Sequence, residues 1–491
     1  MRKISNRSKL APGKQSPNNI FQKVGEERVG LYILVGSLSW SLLDVVSGMW
    51  LAVPVTLVAM RALWVRLDQG LPIIQITAAL ACLQWLVGPL WYYLGNYSIQ
   101  EMGMAVSERE YFSYAVPGTA AFCLGLFAIG YPLNQRRILA PVQKCHFFLI
   151  GLGLNGSALI GDVAGRVGPE SLAFAFFLLS QFRYVGVLYL WFSERTGSRW
   201  LAGLCALPMF FSSGESAMFH DLLIWCGLLF SYWFASRRRT VVLKALIVVG
   251  SVLLAFTIQG VKKGYRDKVW NAQEAALTEE MVSFWKNFKE LDRDAIMENA
   301  MIRINQGWIV SRVLHYVPAG EPYARGETIT TAVIAAAVPR VAYKDKAVAG
   351  GRDNFMRFTG LPINEQTSMN ISLLGEGYAN FGNGGGCVFL FIAGLGIAMA
   401  FGSCLKFTCT HPVFIFWIPL IFYQAIKAET DCTEIMNQIV KGGALAFTCY
   451  WVIEKFLPTK RRTIVRPTSG RGRIRPAGLN DADELLELRR E

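Results

Sequence analysis

Between residues 339 and 382 the sequence reads PRVAYKDKAVAGGRDNFMRFTGLPINEQTSMNISLLGEGYANFG, and its residue types suit chemistry on an anionic leaving group. Arg340, Lys344, Lys346, Arg352 and Arg357 fall in one short stretch, with Gly350 and Gly351 among them. Arginine offers a planar fork of donors that matches phosphate oxygens, and a Gly-rich backbone brings N–H groups close to an anion. An ordinary solvated basic loop is the competing explanation. The interleaved Phe355, Phe358 and Leu361 suit an apolar surface instead. Just downstream, Gly375-Glu376-Gly377-Tyr378-Ala379-Asn380 places a carboxylate, a phenol and an amide close together. Glu376 is a candidate general base for a sugar hydroxyl, with Tyr378 and Asn380 as sugar hydrogen-bonding groups. The same residues also suit a helix start, with Glu near the positive end of the dipole and Tyr at an interface. Upstream, Arg303 and Arg312 are further candidates for binding an anion, and His315, three residues after Arg312, is a second candidate base.

Long apolar segments must position these residues. The 491-residue chain is 53% hydrophobic and only 17% charged, where soluble domains carry about 25% charge. Apolar runs lie near 30–45, 46–62, 71–94, 112–132, 146–164, 171–193, 199–213, 217–236, 241–261, 384–405, 411–427 and 436–457. A spanning helix needs about 20 such residues. Lys+Arg 49 against Asp+Glu 35 leaves a net charge of +14. Arg136, Arg137, Arg237, Arg238 and Arg239 fall in loops that alternate with acidic ones such as 95–111 and 427–434. The positive-inside rule then gives about 12 spans with both termini cytoplasmic.

The expected fold class is therefore an all-α polytopic membrane bundle with one large, partly helical extracytoplasmic loop. Residues 1–29 form a basic cytoplasmic tail, 30–261 a bundle of about nine spans, 262–383 the loop, 384–457 about three more spans, and 458–491 a basic tail. The loop opens on an amphipathic helix from Lys262 to Asp294 and continues in a second helix reaching His315. It becomes irregular after Pro318, and Ile329–Val338, too short for a span, packs on the bundle or lies at the interface. The arginines from 303 to 357 then stand on the face where the positive-inside rule does not account for them. Arg183, mid-span, calls for a partner such as Asp44 or for a bound phosphate.

Several functions are excluded by pattern. The ten cysteines include no CxxC, so neither a disulfide framework nor a zinc site is expected. There is no Walker A, HExxH or GxSxG motif. The expected chemistry uses no metal, cofactor or nucleotide. The basic surplus orients spans and meets membrane lipids, and no nucleic acid is expected as a partner. No internal repeat appears, which disfavours an inverted-repeat transporter.

Arg325-Gly326-Glu327-Thr328, an apolar stretch, and Pro339-Arg340 with Lys344-Asp345-Lys346 resemble a known pattern. Gly351-Arg352-Asp353, Thr367-Ser368 and the segment from Gly375 to Gly382 complete the resemblance. The family is the Wzy-type oligosaccharide repeat-unit polymerases of bacterial O-antigen and exopolysaccharide assembly. The sequence departs from it at Val341-Ala342-Tyr343, where an aromatic-Pro element is expected, and at Ala347, where Pro is expected. The resemblance implies a multi-pass bacterial inner-membrane glycosyltransferase that takes an undecaprenyl-pyrophosphate-linked oligosaccharide as donor. It would move the glycan to the non-reducing end of an incoming lipid-linked unit, alongside a flippase and a chain-length regulator of the same pathway. It implies Arg340, Arg352 and Arg357, seconded by Arg303 and Arg312 and with Lys344 and Lys346 nearby, on pyrophosphate. Glu376 or His315 would be the base, and Tyr378 and Asn380 would meet sugar. An O-antigen ligase-like enzyme shares this donor and topology, and a flippase of the same lipid-linked sugars is a further alternative.

Overall fold

The computed structural model of the protein describes residues 30–41, 48–95, 102–130, 135–140, 142–169, 172–216, 220–235, 240–246, 248–250, 304–338, 351–364 and 367–458, with isolated positions between 253 and 301. Arg303, Arg340, Lys344, Lys346, Asp44, the Lys262–Asp294 segment except for isolated positions, and both tails lie outside the described residues.

Every regular element among the described residues is helical. The chain runs through α1 (Gly30–Ser41), α2 (Gly48–Arg66), α3 (Ile73–Gly95), α4 (Glu108–Phe127), α5 (Phe147–Val167), α6 (Ala173–Ser180), α7 (Phe182–Phe192), α8 (Ser198–Ser216) and α9 (His220–Ala235). After it come α10 (Gly307–Tyr316), α11 (Glu327–Ala337), α12 (Arg352–Thr359), α13 (Ser372–Thr410), α14 (Ile418–Ile426), α15 (Cys432–Asn437) and α16 (Gly443–Phe456). A five-residue π turn, Gln438–Gly442, joins the last two.

Among the described residues, five helices are long and apolar enough to cross a membrane: α2, α3, α5, the Ala175–Phe192 run through α6 and α7, and α13. Three more of the expected runs contain shorter apolar helices, Gly30–Ser41, Asp221–Ala235 and Pro412–Ile426. The outward surface is apolar, with Leu57, Leu159, Ile160, Val388, Ile392 and Trp451 exposed. A water-facing surface rarely carries apolar patches of that extent.

The bundle is organised around α4, which is buried along nearly its whole length. Its largest contact is with α13, and glycine makes it possible. A Cβ on Gly125 would stand 2.2 Å from the Phe391 carbonyl oxygen, and one on Gly394 would stand 2.4 Å from that of Phe122. Small residues let apolar helices approach to backbone contact, where dispersion and packing hold them. The Tyr114 hydroxyl of α4 donates to the Leu374 carbonyl at 2.7 Å, tying the start of α13 to the bundle. Arg183 on α7 pairs with Asp162 on α5, which answers the need of a buried guanidinium for a carboxylate.

Two differences from the sequence-based expectation matter for the site. The apolar run at 384–405 suggested a span starting near 384, yet α13 begins at Ser372, so Glu376, Tyr378 and Asn380 lie on a helix. That helix breaks at Gly382 (φ +66°, ψ −162°), a backbone region essentially reserved for glycine. The stretch after Pro318 was expected to be irregular, and it contains α12. The Ile329–Val338 segment forms α11, packed mainly against α15.

Candidate functional site

A second, smaller core gathers the helices that carry the candidate residues. Trp308, Ile309 and Val313 of α10, Phe355 and Phe358 of α12, and Ile371 and Ala379 around the start of α13 pack together. Trp308 meets Phe355 edge-on with centroids 6.3 Å apart. This module holds α10, α12 and the first turns of α13 as one body, with α11 closing against α15.

The turn entering α11 is clamped by the break in α13. Within a continuous helix the carbonyls of Ala379 and Asn380 would accept from the N–H groups four residues on. Here they accept instead from Ala324 N at 2.9 Å and Arg325 N at 3.1 Å. Gly326, at φ +94°, turns its N–H onto Asn380 Oδ1 at 2.9 Å. A left-handed φ of this kind strains any side chain but glycine's. The consequence is a fixed approach of Thr328 to Glu376.

Glu376 has no exposed surface. Its Oε1 accepts from the Thr328 hydroxyl and its Oε2 from the Cys432 backbone N–H, both at 2.7 Å. Asp431, 1% exposed, is buried beside it and caps α15 by accepting from Glu434 N at 3.1 Å. Asn354 of α12 also donates to Asp431, and Asn370 donates to Glu434. Five elements therefore converge on the Glu376, Asp431 and Glu434 carboxyls. Burial pushes the Asp431 carboxyl up, opposed by its backbone and Asn354 donors. Glu434 is pushed up to about 7 by burial and by Asp431, with Asn370 and Lys427 pulling the other way. Among the described residues no group of His, Cys, Asp and Glu is arranged to hold a metal ion.

The raised acids give a pH dependence whose sign follows directly. A carboxyl with a raised folded pKa binds its proton more tightly in the native state than in the unfolded chain, where Glu titrates at about 4.3. Its native-state advantage is present below that value and is lost as pH rises towards about 7, the value Glu434 reaches. The melting temperature in detergent should therefore fall between about pH 4.5 and pH 7. Glu434→Gln should flatten that fall, and a variant that melts with the wild-type pH profile would refute this reading.

The arginines separate into two kinds. Arg357 is engaged: its Nε donates to Glu321 at 2.6 Å, and its two terminal nitrogens grip Glu327 at 3.0 and 3.1 Å. Those carboxylates push the guanidinium up, and the guanidinium in turn holds Glu327 below the usual carboxylate range. Arg312 and Arg352 are different. Each buries its Nε without a hydrogen-bond partner, and Arg352 spends one terminal nitrogen on the Ile363 carbonyl at 3.3 Å. Arg312 lies one turn beyond Trp308 on α10, and Arg352 one turn before Phe355 on α12. Both arginines thus flank the ring contact that joins their helices. Gly351 makes the Arg352 turn possible, since at φ +65° a Cβ would fall 1.6 Å from Asn370 Oδ1.

His315 is exposed in the last turn of α10, on the Arg312 face, and does not enter the carboxyl cluster. Tyr378 is half-buried, its ring edge-on to Tyr114 and Tyr323 at 5.2 and 6.0 Å. Asn380, expected at sugar, faces inward instead. It is 1% exposed, and its Nδ2 donates to Thr328 Oγ1 and to the Glu376 carbonyl, both at 2.8 Å. Sequence reasoning missed Thr328, Asn354, Asn370, Asp431 and Glu434. The acidic run from 427 to 434 was visible, but only as an orienting loop.

Comparison with family models, curated proteins and solved structures finds no match for this chain.

Proposed function

We propose that the protein is a multi-pass bacterial inner-membrane polymerase of lipid-linked oligosaccharide repeat units. It has about 12 spans and both termini cytoplasmic, with α10 to α12 on the extracytoplasmic side. The observation that carries this reading is one helical module with two complementary parts. One part is a buried carboxylate held by donors on both oxygens. The other is a pair of arginines, on packed helices, with unengaged donors. Loss of a polyprenyl pyrophosphate builds negative charge, which preorganised guanidiniums stabilise in a poorly hydrated site. Glu376 takes the proton of the acceptor's hydroxyl as the new glycosidic bond forms. For this to happen the contact of α15 with Glu376 must open as the acceptor enters, while Thr328 stays in place.

The test is chain extension in vitro. Purified protein given synthetic undecaprenyl-pyrophosphate repeat units should yield a ladder of longer glycans without added nucleotide or metal. The Arg312→Ala/Arg352→Ala double variant should lose about 100-fold or more in kcat/KM, as expected for removing charge-stabilising donors. Transfer of a single glycan, and only to a lipid A-core acceptor, would favour the ligase-like enzyme. Movement of the lipid-linked sugar across vesicles without bond formation would favour a flippase.

A further inference from the structure

The turn Arg325-Gly326-Glu327-Thr328 stands out in the sequence, but the binding of donor and acceptor leaves its threonine without a role. Thr328 is 5% exposed, and its hydroxyl oxygen sits between two partners. It accepts from Asn380 Nδ2 at 2.8 Å and donates to Glu376 Oε1 at 2.7 Å. A hydroxyl has one proton, and an amide nitrogen only donates. With Asn380 donating to it, Thr328 has a single direction left for its own proton, which is Glu376.

The orientation of Asn380 is fixed in turn. Its Oδ1 accepts from Gly326 N, and its Nδ2 also donates to the Glu376 carbonyl. A flipped amide would turn an oxygen against that carbonyl and a nitrogen against an N–H. The whole sequence of donors, from the Gly326 turn through Asn380 and Thr328, therefore ends on one oxygen of Glu376. The Cys432 N–H holds the other.

We infer that Thr328 is a positioning residue for the Glu376 carboxylate in glycan transfer, with Asn380 setting the direction in which Thr328 donates. The inference rests on the polymerase reading. Thr328 touches neither donor nor acceptor; it keeps one lone pair of Oε1 occupied, so that the remaining lone pairs are presented in a fixed direction to the incoming hydroxyl.

Thr328→Val keeps the shape and removes the donor; Thr328→Ser keeps the donor. The valine variant should lose about 10- to 100-fold in kcat, the worth of one hydrogen bond to a charged group. Its KM for the lipid-linked donor should stay within about two-fold of the wild type. The serine variant should recover kcat to within about three-fold. If the valine protein does not accumulate, Thr328→Cys, with a weak donor of similar size, takes its place. A valine variant as active as the wild type, or a serine variant as impaired as valine, overturns the inference.

A second measurement separates this from the polymerase reading. A hydrophobic carbodiimide modifies buried carboxyls in their protonated form, and peptide mass spectrometry reads the modification at Glu376. Loss of the Thr328 donor should speed that labelling in the valine variant and not in the serine variant, whether or not the protein extends glycans. Labelling that follows this order in a wild-type protein that makes no ladder would sink the polymerase reading and leave the donor relay standing. Equal labelling in all three proteins would sink the relay.

Discussion

Glu376→Gln should reduce glycan extension by about 100- to 10,000-fold, the usual range for loss of a general base. The donor KM should hold within about two-fold. The substitution keeps size and shape, so the loss would report chemistry above all. It is not silent structurally, because both groups facing Glu376 are donors. The Cys432 N–H cannot reverse, so the glutamine oxygen must turn to it, leaving an NH2 against Thr328. The threonine proton then has no acceptor, at a cost of about 1–3 kcal/mol. A modest drop in melting temperature should therefore accompany the loss of turnover. Extension within about three-fold of the wild type would remove Glu376 from the mechanism.

Gly125→Ala should have the largest effect on stability. A methyl there would lie 2.2 Å from the Phe391 carbonyl oxygen, and backbone cannot step aside as a rotamer can. Overpacking costs typically 1–3 kcal/mol and here should reach about 3 kcal/mol or more. The contact lies at the axis of the α4–α13 pair, and α13 also carries Glu376, so loss of extension should follow loss of the fold. Gly153→Ala is the control. It lies within α5 with nothing within 4 Å of its Cβ position, and alanine is the better helix former. Thermal melting in detergent should separate the two variants clearly; equal melting would mean that α4 and α13 are not held by this contact.

The helices were legible because long apolar runs in a sequence report burial in protein or lipid directly. Gly30–Ser41, Ile73–Gly95 and Phe147–Val167 fall within a few residues of their runs. The start of α13 was not legible. Its first turns are Gly-rich and polar, and they are helical because Tyr114, Ala324 and Arg325 fasten them from other elements. The same limit applied to the site. Glu376 stood out by its residue type, whereas Asp431 and Glu434 join it only through the folding of α15 against α11. Arg357 shows the converse. Its sequence neighbourhood suggested an anion ligand, and the fold supplies that anion internally as Glu321 and Glu327. The partner of Arg183 was equally a matter of helix pairing, since Asp162 comes from a different helix.

The closed state of Glu376 bears on what the protein leaves undone. With no surface exposed, this carboxylate cannot activate a stray water molecule. Water makes too few contacts to draw α15 aside, whereas a sugar with many hydroxyls can spend binding energy on that opening. On the polymerase reading this is induced fit used as thrift: a loaded donor that waits without an acceptor is spared hydrolysis. On that reading the glycan would leave its carrier only when there is another chain to receive it.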